Sequence, residues 1–232
     1  MKQPFSNEII QQAQIHSKEM YPDEACGFIL EDKFLPLPNV AEHKDKEFQI
    51  QNKEFLKYNG RIKAVVHSHP DYPHISKADM ESQIRSALPW GVVFLQNNAV
   101  QHTAFWGNDI IYDLIGRPFI HGLFDCYALV RDYWRLKGFD IKEFPRENLW
   151  WQDDPSMLED GVESAGFHFI DESEVKVGDV VFMKVMADVV NHSGIVIEDG
   201  LVLHHLYNRL SRREPLFRWR KYITGFVRYK DA

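Results

Sequence analysis

The chain holds 232 residues, 44% of them apolar and 26% charged, a balance that suits one large or two small globular domains. Its net charge of −7 argues against a broad nucleic-acid footprint. Two cysteines, Cys26 and Cys126, are too few for a disulfide scaffold and predict a reducing compartment, while "MKQPFSNEII" carries no apolar leader and no run is long enough for a membrane span.

In chain order, "SNEIIQQAQIHSKEMY" predicts a helix with Ile9, Ile10 and Ala13 on one stripe, Ser6 or Asn7 as its cap and Pro22 as its stop. "CGFILED" predicts a strand, "LPLPN" a turn and "RIKAVVHSH" a second strand. "SKADMESQIRSAL" predicts a helix capped by Ser76 and closed by Pro89, and "GVVFLQ" with "VQHTAFW" predicts a hairpin across "NNA". Strands alternate with helices in this first stretch, which ends near Trp106. "GNDIIYDLIGRPFIHG" reads as a connector. "CYALVRDYWRLKG" predicts a helix with Leu129, Val130, Tyr133 and Trp134 on one stripe and Gly138 beyond its end. "VKVGDVVFMKV", "HSGIVIED" and "LVLHHLY" predict strands. The expected class is therefore α+β in two domains, 1–108 and 109–232, the second including the connector.

"VVHSHPDYPHISKAD" concentrates metal-binding side chains. His67 and His69, two apart on an extended segment, project to the same side. Asp79, in the first turn of the following helix, supplies a third donor. Two imidazoles and a carboxylate with one position open suit a water-activating zinc. Glu24, beside the "CGFIL" strand, is the candidate general base, and His74 reads as a solvent-facing loop residue. Against this, His-x-His is common on surfaces, and Ser-x-x-Asp also caps helices without any metal.

A second candidate begins at Cys126. Asp125 is a natural N-cap, which places Cys126 at the first helical position, where the helix's partial positive charge favours a thiolate. His192, at the start of a strand, is the candidate base. A third polar residue would orient its ring. A two-residue turn at Asp199–Gly200 selects His205; a three-residue loop at 198–200 pairs Gly194 with His204 instead. Taken locally, a cysteine beside "ALV" also reads as a buried structural residue.

The pattern Glu24, His67-Ser68-His69-Pro70, Ser76-Lys77-Ala78-Asp79 resembles the MPN/JAMM metallopeptidases, with six residues between His69 and Ser76 where that family usually has seven. The resemblance implies zinc on His67, His69 and Asp79, Glu24 as base, and Ser76 beside the oxyanion. "DCYALVRDYW", "KVGDVVFM" and "HSGIVIEDGLVLHH" resemble the NlpC-type cysteine peptidases, which are papain-like α+β domains. This implies Cys126 as nucleophile, His192 as base and His204 as orienter, with peptidoglycan stem peptides as substrate. Tyr127 replaces that family's usual small residue and would narrow the cleft. The two domains in this order resemble a family of tail-tip assembly proteins of lambda-like tailed phages. That implies synthesis in the host cytoplasm, a place at the tail tip, other tail-tip proteins as partners, and a wall-cutting role. The alternative is a structural assembly protein whose sites are silent or serve only maturation. The tryptophans of "WWQDDP" fit core packing or sugar stacking, and "LYNRLSRREPLFRWRK" is locally basic.

Overall fold

The computed structural model describes residues 3–230, which form two compact units. One gathers the described chain up to His74 together with Ala78–Ile110; the other gathers Ile75–Lys77 and the described chain from Ile111 on.

The first unit opens with α1 (Asn7–Met20), whose first turn is closed by the Ser6 hydroxyl accepting from the Ile9 N–H at 3.4 Å. Strands β1 (Cys26–Ile29) and β2 (Phe34–Leu37) follow, then α2 (Asn52–Lys57), β3 (Ala64–Pro70), α3 (Lys77–Ser86), β4 (Trp90–Gln96) and β5 (Ala99–Trp106). The sheet order is β2-β1-β3-β4-β5, with β3 and β4 parallel and joined through α3. Both central strands are covered on both faces, which is why they read as apolar runs rather than as alternation. One face packs Ala64, Val66, Val93 and Leu95 under Ile9, Ile10 and Ala13 of α1. Strand parity therefore turns His67 and His69 to the opposite face.

The turn expected at "LPLPN" is a strand: Pro36 lies on edge strand β2 opposite Gly27. An edge tolerates proline because one of its sides needs no ladder donor. The β4–β5 turn is the residue pair Asn97–Asn98, at φ 50° and 60°, the left-handed pair that a two-residue hairpin requires. The sequence reading gave no sign of α2, which buries none of its residues and so lacks an apolar stripe.

The second unit contains α4 (Cys126–Arg135), α5 (Met157–Ser164) and strands β6 (Phe167–Ile170), β7 (Val180–Met183), β8 (His192–Ile197), β9 (Leu201–His204), β10 (Arg212–Pro215) and β11 (Ile223–Tyr229). They form an antiparallel sheet in the order β10-β9-β8-β7-β11-β6. Helix α4 packs on β8, burying Val130 and Trp134 with Val180, Ile195 and Val227; Leu129 is also buried. Each fully buried side chain of this size contributes about 1.5–3 kcal/mol.

The expected connector belongs to this unit from Ile111 on, and it is anchored rather than loose. Arg117 is fully buried, pairs with Asp132 of α4 at 2.7 Å, and donates to the Asp113 and Tyr112 carbonyls. The strands absent from the sequence reading were weakly patterned: β6 is four residues, β10 is charged, and β11 bulges between Ile223 and Gly225. Among the described residues no helix is long and apolar enough to cross a membrane.

Candidate active site and candidate metal centre

In the first unit, β3 and α3 bring three donors together. His67 Nε2 lies 3.0 Å from His69 Nε2, and Asp79 reaches them with Oδ1 at 3.4 Å and Oδ2 at 3.2 Å. Zinc bonds of about 2.0–2.1 Å in a tetrahedron put neighbouring donors roughly 3.3 Å apart; each imidazole lies near that distance from the other ring and from one Asp79 oxygen, and one donor atom from each residue falls within 4.8 Å of the others. All three side chains are buried, where a triangle of donors this close is costly without a shared proton or cation. The residues present thus fit a zinc ion.

Glu24 is buried beside this triangle, its Oε1 4.0 Å from His69 Nε2. Desolvation pushes its carboxyl up to about 8, with His69 opposing and the Asp79 charge adding to the rise. Burial lowers His67, while Asp79 stays well below the ordinary carboxylate range: burial opposes ionisation, and its contacts with the two histidines outweigh it. His69 Nδ1 is held by the His74 carbonyl at 2.5 Å, so the backbone of His74 orients a donor ring. Phe48 stacks on His67 at 4.6 Å and closes that side with apolar surface. Ser76 is the residue before α3, in the segment that groups with the second unit; its neighbour Ile75 donates to the His121 carbonyl there at 3.2 Å.

In the second unit, Cys126 opens α4. Its N-cap Asp125 accepts from the Ala128 N–H at 3.0 Å and the Gly122 N–H at 2.9 Å. Arg146 clasps the same carboxylate with two bonds of 2.7 and 2.6 Å, which holds Asp125 far below the ordinary range although burial opposes it. Sequence reasoning missed Arg146, because nothing local to "EFPREN" marks a partner 21 residues away.

The loop Glu198–Gly200 between β8 and β9 has three residues, with Asp199 at φ 61°. It pairs Gly194 with His204, and His192 Nε2 lies 3.0 Å from His204 Nδ1. His205 is not the residue bonded to His192; its Nε2 lies 3.0 Å from the Arg209 carbonyl. Beyond His204 stands Glu214 of β10, also missed, with Oε2 3.0 Å from His204 Nε2. Trp219 covers the pair at 4.7 Å from the His204 ring.

Cys126, His192 and His205 line one groove of about 470 Å³, together with Trp150, Trp151 and Tyr207. Trp150 is buried in the core and Trp151 packs against it, so the tryptophan pair both fills the core and walls the groove. Tyr127 lines the groove as well; its hydroxyl donates to the Lys142 carbonyl at 2.5 Å and Arg146 sits over its ring at 5.2 Å. The helix terminus that favours a thiolate at Cys126 is opposed by burial. Desolvation pushes the thiol up to about 11, the Asp125 charge adds to the rise, and the Ser193 N–H and Arg146 only partly offset it. Burial also holds His192 well below the ordinary imidazole range, with His204 and His205 adding to the fall. Burial thus disfavours the charged form of both groups.

Residues 116–228 match the model of the NlpC/P60 family, which makes the second unit's class that of the cysteine peptidase hydrolases. The chain belongs to the family of tail tip assembly protein K. It is 31% identical over 228 residues to that protein of Escherichia phage N15, covering 94% of this chain and 92% of the relative. It is 37% identical over 177 residues to the one of Escherichia phage lambda, covering 74% and 83%. Among solved structures, an NlpC/P60 family protein from Bacillus cereus aligns with a TM-score of 0.37 at 14% identity, over 94% of this chain and 66% of that one.

Proposed function

We propose that this protein is a phage tail-tip component whose second unit cuts peptidoglycan stem peptides with Cys126. The observation that carries this reading is the groove in which Cys126, at a helix start, meets His192 with its ring tied to His204. His192 takes the thiol proton as the sulfur attacks the peptide carbonyl, forming the S–C bond and an oxyanion. The imidazolium returns that proton to the leaving amine as the C–N bond breaks. Water, deprotonated by the same imidazole, then hydrolyses the thioester and frees the thiol. His204 holds the His192 ring in place. Kinship with tail tip assembly proteins supports other tail-tip proteins as partners and the tail tip as the place of action.

The first unit is proposed as an MPN/JAMM-like domain, spanning about 1–108, with His67, His69 and Asp79 holding zinc. Bound zinc would supply a Lewis acid and an activated water. Glu24, protonated or not according to its raised value, would move the proton, and the motif assigns Ser76 to the oxyanion. Intact polar groups at both sites favour this reading over a purely structural tail protein.

The deciding experiment is digestion of soluble muropeptides by the full chain. Wild type should release stem-peptide fragments, and Cys126→Ala should release none. Equal digestion by both would end the thiol reading.

A further inference from the structure

We propose that Glu214 is a positioning residue of the thiol site: its carboxylate fixes the tautomer of His204, which in turn leaves His192 Nδ1 as the bare nitrogen that serves as base. The inference rests on the Cys126–His192 reading and extends it through a chain of contacts that starts at a strand of the opposite sheet edge.

The argument is one of donors and acceptors. Glu214 is ringed by donors: Trp219 Nε1–H reaches Oε2 at 3.1 Å, and the Arg212 guanidinium lies 2.8 Å from Oε1. A carboxylate in such a setting accepts and does not donate. The 3.0 Å contact between His204 Nε2 and Glu214 Oε2 is therefore an N–H donated by His204. A neutral imidazole carries one N–H, so His204 Nδ1 is a bare acceptor. The 3.0 Å contact between His192 Nε2 and His204 Nδ1 must then be an N–H donated by His192. His192 Nδ1 is left without a proton, the state a base needs in order to take one from a neutral thiol. With an apolar residue at 214, either nitrogen of His204 could carry its proton. The reverse tautomer would point an N–H at His192 Nε2 and move the His192 proton to Nδ1.

The geometry is built rather than fortuitous. Register places His204 opposite Arg212 on β10, two ladder positions from Glu214, which pairs with Val202, so that Arg212 and Glu214 project to the same face. Trp219 both donates to Glu214 and lies edge-on to His204 at 4.7 Å, which keeps water from replacing either contact. His204 is 1% exposed, so solvent cannot substitute for the carboxylate. The charged or titratable groups facing this chain are Asp125 and His205 beside His192, and Arg212 beside His204. When His192 becomes an imidazolium, Glu214 is the charge aligned behind it through His204.

Two measurements on the full chain test this. First, ¹⁵N NMR of histidine-labelled wild type at neutral pH should show His192 and His204 both protonated at Nε2 and bare at Nδ1. In Glu214→Ala the His204 signal should move toward a mixture of tautomers. Wild-type His192 protonated at Nδ1 would overturn the proposal, whatever the variants do. Second, Glu214→Gln keeps an acceptor oxygen and removes the charge. Its kcat on soluble muropeptides should fall about tenfold, well short of the loss of a general base, with KM unchanged. Its acid limb in kcat/KM should move to lower pH, because removing a negative charge disfavours the imidazolium. A purely structural role would leave that limb in place, and a superimposable profile would overturn the proposal. Cleavage surviving in Cys126→Ala would instead sink the thiol reading while leaving the tautomer result to stand or fall alone.

Discussion

Cys126 and Cys26 share a chemistry but not a setting. Burial pushes Cys26 up to about 12, with Glu24 adding to the rise, and it lies within β1 at 1% exposure; Cys126 stands at about 11 and opens on the groove. Alkylation by iodoacetamide should therefore mark Cys126 well before Cys26, through access more than through acidity. Its rate should keep climbing from neutral pH to about 10, following the small thiolate fraction. A plateau below neutral pH would reveal a preformed thiolate–imidazolium pair and contradict a neutral resting state. The histidines set the stability profile in the same way. His192, His204 and His205 are all depressed by burial, His205 to about 4, so the folded protein refuses protons that the unfolded chain accepts below the ordinary value of 6.5. Stability is full above that value and declines as pH falls through it. His205 alone accounts for about 3 kcal/mol once the pH reaches its own value. Urea midpoints that fail to drop between roughly pH 7 and 5 would show that these rings are protonated in the fold.

At the scale of elements, the start of α4 and the β8–β9 ladder position the thiol site. Arg146 is 2% exposed and its charge is met by Asp125. Asp125→Ala would remove the two-bond partner of that guanidinium, leaving Glu143 Oε1 at 3.2 Å as its carboxylate contact, and would remove the helix cap. The expected cost is about 1–3 kcal/mol for the lost charge-assisted bonds, read as a fall in thermal midpoint, with the cap adding roughly 1 kcal/mol. A loss under about 1 kcal/mol would mean that water reaches Arg146. Gly194 matters for a different reason. A Cβ there would stand 2.7 Å from Val202 Cγ2 and 2.9 Å from His204 Cβ, so β9 would have to retreat from β8. Gly194→Ala should cost about 1–3 kcal/mol of stability and lower kcat more than KM, because the 3.0 Å link between His192 and His204 lengthens. Unchanged turnover in a folded variant would show that the histidine pair tolerates a wider ladder.

At the scale of the molecule, each unit carries its own candidate chemistry on its own sheet. Chelation should strip metal from His67, His69 and Asp79 without reducing muropeptide cleavage by the cysteine unit, since no residue of that metal group lies in its groove. Conversely, Cys126→Ala should bind as much zinc as wild type, about one ion per chain by elemental analysis, and should lose it in acid as the ligands protonate. Chelation that abolished thiol-dependent cleavage would refute this separation of chemistries.

What the sequence by itself determined is local. The Asp125 cap, the α4 stripe, the same-side projection of His67 and His69, and Asp79 one turn into a helix all follow from spacings under about one or two turns, where backbone period fixes direction. The motif groupings were legible for the same reason. What only the tertiary structure decided is everything that depends on register or burial between distant segments. A one-residue difference in the β8–β9 loop reverses which of His204 and His205 faces His192, and both loops are compatible with the same residues. Arg146 and Glu214 meet their partners across loops whose closure no local pattern records. The helix terminus and the candidate base His192, both legible in the sequence, favour a thiolate at Cys126; desolvation, a property of the packed core, opposes it and is visible only in the fold.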